Sequence, residues 1–350
     1  MSTTQSTAAQ PAIATRQAPT PSLALGRVRA LAWQQATLFF SQAYTLLSVE
    51  ISDPLNWHIV ASYRPAWWRN VSASFHLSSR LFGDGFSSLA ALPSGHMIAS
   101  VPGAIISLAP HDTEFRLSVD FPRGTCPTSI IATPDGKLFF GTHGHHLATA
   151  EARVYTSLDR GWTWEAAYSF PDPIRVIRQL IYDEYQNCLW ILTRGRNGKG
   201  LIFRASLDLR LLDEVASDKS MCVALPTREA VYLASDDPGE SNHIFRLGRN
   251  GSLVRVGAID GSGVSACRVG NSLFFSTTHN TKSAVKHVKV YRSSDGDSWA
   301  EYLHWKKDSW PNAFGNGRAV LAVGANATDL LAVTTMGVFG AHLLTTLWRI

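Results

Sequence analysis

A short apolar run, a polar turn and a second apolar run recur along this chain from end to end. Such a pattern predicts β-hairpins. The copies are LAWQQATLFFS (31–41), AALPSGHMIAS (90–100), IATPDGKLFFG (131–141), IYDEYQNCLWILT (181–193), ALPTREAVYLAS (224–235), CRVGNSLFFS (267–276) and VGANATDLLAVTT (323–335). They are spaced by a few tens of residues, the interval at which propeller blades repeat. Each unit reads as four antiparallel strands, a to d outward from a central axis, giving an all-β, seven-bladed β-propeller. The blades are expected at 28–64, 86–122, 127–171, 176–215, 219–259, 263–305 and 317–350. The last is short of strand, so the segment near Leu23 to Arg29 is expected to complete it and close the ring. A six-bladed count stays open if one end blade is incomplete. Residues 1–27 are expected to be a disordered tail before a single domain, 28–350. No segment holds a long 3.6-residue period, so helix should be nearly absent.

Composition changes this picture little. Charged residues are 17% of the chain and Trp occurs 11 times, which suits a β-rich protein with much buried surface. The net charge of +5 is scattered, with no Lys/Arg run of the kind a nucleic-acid surface shows. Cys126, Cys188, Cys222 and Cys267 lie in predicted strands without a C-x-x-C, so they read as buried thiols. Polar interruptions at Gln34, Gln35, Ser41 and Gln42 rule Leu31 to Val49 out as a membrane span. Residues 1–25 carry no apolar signal-peptide core, and a cytoplasmic location is expected. The acid-free start, with Glu50 the first carboxylate, is also compatible with export or organelle import.

One turn carries a more specific signal. Ser157-Leu-Asp159-Arg-Gly161-Trp-Thr163-Trp164 joins two apolar runs. Its Asp can accept backbone N–H groups ahead of it, Gly supplies φ > 0, and Trp packs beneath the turn. A shortened copy, Ser293-Ser-Asp295-Gly296-Asp-Ser298-Trp299, recurs later, and Ser52-Asp53 with Trp57 forms a degenerate one. SLDLRLL (206–212) reads as a plain turn. The motif resembles the Asp-box of BNR-repeat propellers, a group that includes sialidases and photosystem assembly factors. The resemblance implies a propeller fold with Asp-boxes on the face away from the active site. It carries over no catalytic residue. The early F/Y-R-I-P motif of sialidases is missing, and Tyr63-Arg64-Pro65 lacks its Ile. Arg178, Arg194 and Arg268 do not align as the sialidase arginine triad.

Function is therefore expected on the opposite face, which carries the b–c and d–a connections around the channel mouth. Polar b–c loops gather in blades three to six. They hold His143, His145 and His146; Arg194 and Arg196; Asp236; and His279. Blades one, two and seven have short turns there. Two d–a connections are aromatic, one with Trp67 and Trp68 and the other with Trp305 and Trp310. Indole beside Arg, Lys, Asp and Asn is sugar-binding chemistry, since ring faces stack on C–H groups while polar groups take hydroxyls. Equally, these indoles could wedge between blades as core. The histidines match no known metal spacing, and no cofactor motif is present. The expectation is a binding module for a glycan or a protein. A carbohydrate-active enzyme, hydrolase or lyase, at the same mouth is the alternative.

Overall fold

The computed structural model describes residues 19–74, 83–121, 125–144, 151–195, 198–215, 219–237, 241–279, 286–312 and 315–350, without the side chains of 125, 126, 128, 143 and 144. Six of the hairpins seen in the sequence become strands a and b of one blade, the seventh (323–335) is split between blades one and seven, and the ring has seven blades. Blade one is Arg29–Gln35, Thr37–Gln42, Thr45–Glu50 and Trp57–Ser62. Blade four, with the longest inner strand, is Ile174–Asp183, Cys188–Gly195, Ile202–Ala205 and Leu212–Val215. Neighbouring strands pair antiparallel throughout each blade.

No blade could stand alone, because both of its faces are apolar. Seven hydrophobic clusters fill the seven gaps between neighbours. Leu46, Phe86, Ile106 and Phe115 sit between blades one and two, for example, and Tyr232, Phe275 and Tyr291 between five and six. Middle strands are therefore buried on both sides, as Ser272–Thr277 is along its whole length. Outer strands are wet on one side: Trp57–Ser62 is exposed over its first three residues.

Ring closure uses two devices. Leu23–Arg27 becomes the outer strand of blade seven, with Leu23 opposite Leu347 and Arg27 opposite Leu344. This is the closure expected from the sequence, and it moves the start of the propeller back past residue 28. Second, the inner strand of blade seven continues as Val323–Asn326 and pairs in parallel with the inner strand of blade one, Ala32 facing Val323. Gly324 lets the two backbones approach: a Cβ there would stand 2.4 Å from the Trp33 carbonyl oxygen. The six-bladed alternative falls with these pairings. One helix, Trp67–Ser74, replaces the loop expected between blades one and two.

The Ser-x-Asp turns behave as their chemistry predicts. Asp159 Oδ1 accepts from Ser157 Oγ (2.8 Å) and from the Trp162 and Thr163 N–H groups (3.1 and 2.9 Å). The same pattern holds at Asp295, whose carboxyl these donors pull down to about 2. The turn also ties its blade to the previous one. Gly161 O accepts from Ser107 Oγ (2.6 Å), and the Trp164 indole donates to Ser118 Oγ (3.0 Å). The three aromatics pack alike, Trp57, Trp164 and Trp299 lying edge-on to Phe40, Phe140 and Phe275 at 5.0, 4.8 and 5.2 Å. SLDLRLL is not a plain turn. Ser206 Oγ donates to Asp208 at 2.5 Å, Arg210 N–H to Asp208 at 3.2 Å and Leu211 N–H to Ser206 Oγ at 3.1 Å. Leu209 takes the positive φ of 57° that glycine takes elsewhere, which hid the turn from sequence.

Gly161 has a φ of 88°, and a Cβ there would lie 2.6 Å from Ile98 of blade two. Gly161→Ala should thus destabilise the protein by about 1–3 kcal/mol, from strain and overpacking. Chemical denaturation measures this, and a change below about 0.5 kcal/mol would mean the turn does not hold the two blades in register.

Candidate functional site

The two aromatic d–a connections wall one pocket. It opens on the face opposite the Ser-x-Asp turns and has a volume of ≈ 270 Å³. One wall is the blade one to two connection, through Ala73 and Gly83 to Phe86; another is the blade six to seven connection, through Gly315, Asn316 and Arg318. Blade one supplies Arg29, Ser41 and Ala43, and blade seven supplies Met336 and His342. Close approach of the walls depends on Gly85 (φ 98°), where a Cβ would lie 2.8 Å from the Ala43 carbonyl oxygen.

Each connection is held by a buried charged side chain. Asp84, whose side chain has no exposed surface, accepts from Tyr44 Oη (2.9 Å), Arg69 Nη1 (3.0 Å) and Ser72 Oγ (2.6 Å). Arg69 and Ser72 lie on the helix Trp67–Ser74, so Asp84 pins that helix to the pocket wall. Burial and the Asp84 bond push the Tyr44 hydroxyl up to about 12, keeping it a donor. Trp67 then stands 78% exposed, while the Arg69 guanidinium covers one face of Trp68 at 4.6 Å. In the other connection, the buried Lys307 ammonium donates to the carbonyl oxygens of Asp308 (3.1 Å) and Trp310 (2.5 Å). Trp310 is held with its side chain half exposed. Phe339, at 79% exposed, lies in the blade-seven b–c loop, and its N–H donates to Lys306 O. Reading that loop as a short turn missed it; an unpaired Phe beside Gly was the available signal.

Trp305 belongs elsewhere. It sits on the outer strand Ala300–Lys306 and packs on Trp348, with ring centroids 6.3 Å apart, in the core between blades six and seven. His279 is 2% exposed in the wall between the same blades, its N–H bonded to Gly317 O, and burial lowers its pKa. It is absent from the pocket lining.

Among the described residues, the polar loops of blades three to six give the pocket Thr278 alone. Arg194 and Asp236 do meet, but as members of one ion cluster. Asp236 accepts from Arg178 Nη2, from Arg194 Nη1 at 3.4 Å and from Ser262 Oγ. The carboxylate is thereby neutralised and the arginines satisfied, so the cluster ties blade four to blades five and six. His143 is placed by its backbone alone, opposite Cys126 and, as a bridge between blades, opposite Val176. His145, His146 and Arg196 lie outside the described residues. Among the described residues no three His, Cys, Asp or Glu side chains gather as metal ligands, and no helix is long and apolar enough to cross a membrane.

No protein-family model matches the chain, and no curated protein matches it by sequence. Solved structures do match it. A chain of the Mitotic Checkpoint Complex superposes with a TM-score of 0.61 at 8% identity, covering 99% of both chains. The β-propeller domain of Myceliophteria thermophila Cps50 (Swd1) gives 0.60 at 10% identity, over 95% of this chain and 99% of that one. The GH74 enzyme of Niastella koreensis gives 0.54 at 13% identity, over 82% of this chain and 47% of its own. Identities this low speak for the fold alone, because one propeller frame hosts unrelated sites. The chain is a seven-bladed β-propeller that resembles these proteins in architecture.

Proposed function

We propose that this chain is a BNR-like binding propeller that takes a glycan at the pocket between its two aromatic connections. The observation that carries the reading is that two connections far apart in sequence both line one cavity, through Ala73 and Asp84 and through Gly315 and Asn316, and that each also carries a solvent-exposed tryptophan, Trp67 or Trp310. Each is anchored by its own buried charge, Asp84 or Lys307, so the stacking surfaces are ordered before a ligand arrives. Exposed tryptophan is costly to leave in water, and a sugar ring offers its C–H face as cover. A hydrolase would need a second carboxylate beside the cavity. Among the described lining residues Asp84 is the sole acid, and its oxygens are occupied by three donors. Binding is therefore favoured over catalysis.

Replacing Trp67 and Trp310 together by Ala should weaken glycan binding by roughly tenfold or more, at about 1 kcal/mol per lost stacking contact. The fold should persist, since both indoles are largely outside the core. A glycan array followed by calorimetry on the positive sugars tests this. Undiminished binding by the folded double variant would remove the stacking role. An array without hits, with a protein captured through Trp67 and Phe339, would turn the reading to an assembly adaptor.

A further inference from the structure

The same pocket contains a charge imbalance that stacking does not use. Arg29 opens the inner strand of blade one, and Arg318 opens that of blade seven. Both line the cavity. Neither is in a salt bridge with any carboxylate among the described residues. Arg29 Nη2 donates to Ser87 O at 2.9 Å, while its Nε is buried without a hydrogen-bond partner. Among the described residues, Arg318 Nε reaches only the Met336 thioether sulfur, at 3.3 Å, a weak acceptor. Asp84, the one acid among the described lining residues, is committed to Tyr44, Arg69 and Ser72. The adjoining stretches 75–82, 280–285 and 313–314 contain no Asp or Glu.

Other arginines of this protein are treated differently. Arg178 and Arg194 share Asp236, Arg249 is paired with Asp183, and Arg69 with Asp84. Two guanidiniums crowded into one channel wall without a counter-charge are costly. Desolvation, and then the positive charge of Arg318, lower the Arg29 pKa to about 9. An anion placed between them would relieve both the repulsion and the orphaned donor.

We infer that Arg29 and Arg318 form an oxyanion subsite, so that the ligand of this pocket bears a carboxylate, phosphate or sulfate. This deepens the glycan reading and rests on it for the sugar part of the ligand, while the anion site stands on the two arginines alone. The cavity, ≈ 270 Å³, is at the low end for small-molecule sites, so it fits one charged ring or ester group with the remainder lying across the indoles.

Two measurements on the full chain separate the two ideas. The first compares thermal unfolding in sodium sulfate or phosphate with sodium chloride at equal ionic strength. The wild type should gain stability in the oxyanions, and Arg318→Gln should lose that gain while unfolding in chloride no earlier than wild type. Arg64→Gln, at an exposed pair with Glu114 outside the pocket, should respond like wild type. An equal oxyanion response in Arg318→Gln and wild type, or none in either, overturns the subsite. Arg29→Gln gives a second variant, although it also removes the link to Ser87. The second measurement titrates glucose, glucuronic acid, glucose 6-phosphate and glucose 6-sulfate by calorimetry. At least one charged sugar should bind about tenfold tighter than glucose, and Arg318→Gln should erase that preference. Which charged sugar leads identifies the natural head group. A preference retained in Arg318→Gln, or glucose binding as tightly as every charged sugar, defeats the inference and leaves stacking intact. An arginine effect without any effect of the Trp67 and Trp310 substitutions defeats the glycan reading and leaves the anion site.

Discussion

A chain lacking residues 1–27 is expected to be less stable by roughly 5 kcal/mol than one lacking residues 1–18. The difference is the strand Leu23–Arg27. Its backbone pairs with Leu344–Arg349, and the Ser22 N–H adds a bond to Leu347 O at 2.8 Å. Each lost backbone bond removes about 1 kcal/mol. Leu25, 3% exposed, is embedded with Trp33, Phe40 and Leu347 in the cluster between blades seven and one. Removing its burial costs about 1.5–3 kcal/mol more. The truncation also bares a flat edge on blade seven, a template for pairing with another chain, so aggregation should accompany the loss. Urea unfolding of the two truncations, with light scattering, provides the comparison. Equal midpoints would show that the parallel pairing of Val323–Asn326 with blade one closes the ring unaided.

Asp183→Ala should cost about 3–5 kcal/mol, the usual penalty for stranding the partners of a buried charge. The Asp183 side chain has no exposed surface. It accepts from Arg249 Nη1 and Nη2, from the Trp190 indole at 3.0 Å and from the Tyr185 N–H at 3.0 Å. Arg249 comes from blade five and also donates to Thr227 O, so one carboxylate joins two blades. Removing it leaves a guanidinium and an indole N–H without their acceptor. Arg249→Met in the Asp183→Ala background should recover part of the loss, because the stranded charge is then gone. The network lies on the face of the a–b and c–d turns, away from the pocket. Sulfate should therefore still stabilise any folded Asp183 variant. A loss below about 1 kcal/mol would mean that water replaces the carboxylate at little cost.

Much of the frame is written in short-range pattern. A hairpin such as CRVGNSLFFS states its own strands, and seven of them have no other way to cover two apolar faces each than to form a ring. The turn at Ser157 and Asp159 is equally local, since every bond of Asp159 reaches no further than four residues along the chain. The comparable turn at Ser206 and Asp208 was invisible only because Leu209 adopts a backbone conformation that sequence assigns to glycine.

The pocket was another matter. Loop length and polarity pointed to blades three to six, and those loops supplied an internal ion cluster. Length measures how much chain is available, not which neighbour it meets. Trp67 and Trp310 could be named in advance as binding candidates, but that their two connections line one cavity depends on blade seven sitting beside blade one. Trp305, five residues before Trp310, points into the core because it falls on an outer strand. Arg29 and Arg318 drew no notice in the sequence. Each opens an ordinary strand, and they lie near opposite ends of the chain.

What the sequence by itself determined is the repeat, the strand order within each blade, the propeller ring and the use of an N-terminal strand to finish it, while the seven-blade count was settled by the closure pairings. These follow from hydrophobic periodicity and turn chemistry, which act over a few residues. What only the tertiary structure decided is which connections converge, which charges cancel and which share a cavity without a counter-charge. Those outcomes are set when the first and last blades meet, and no local pattern encodes a contact made by ring closure.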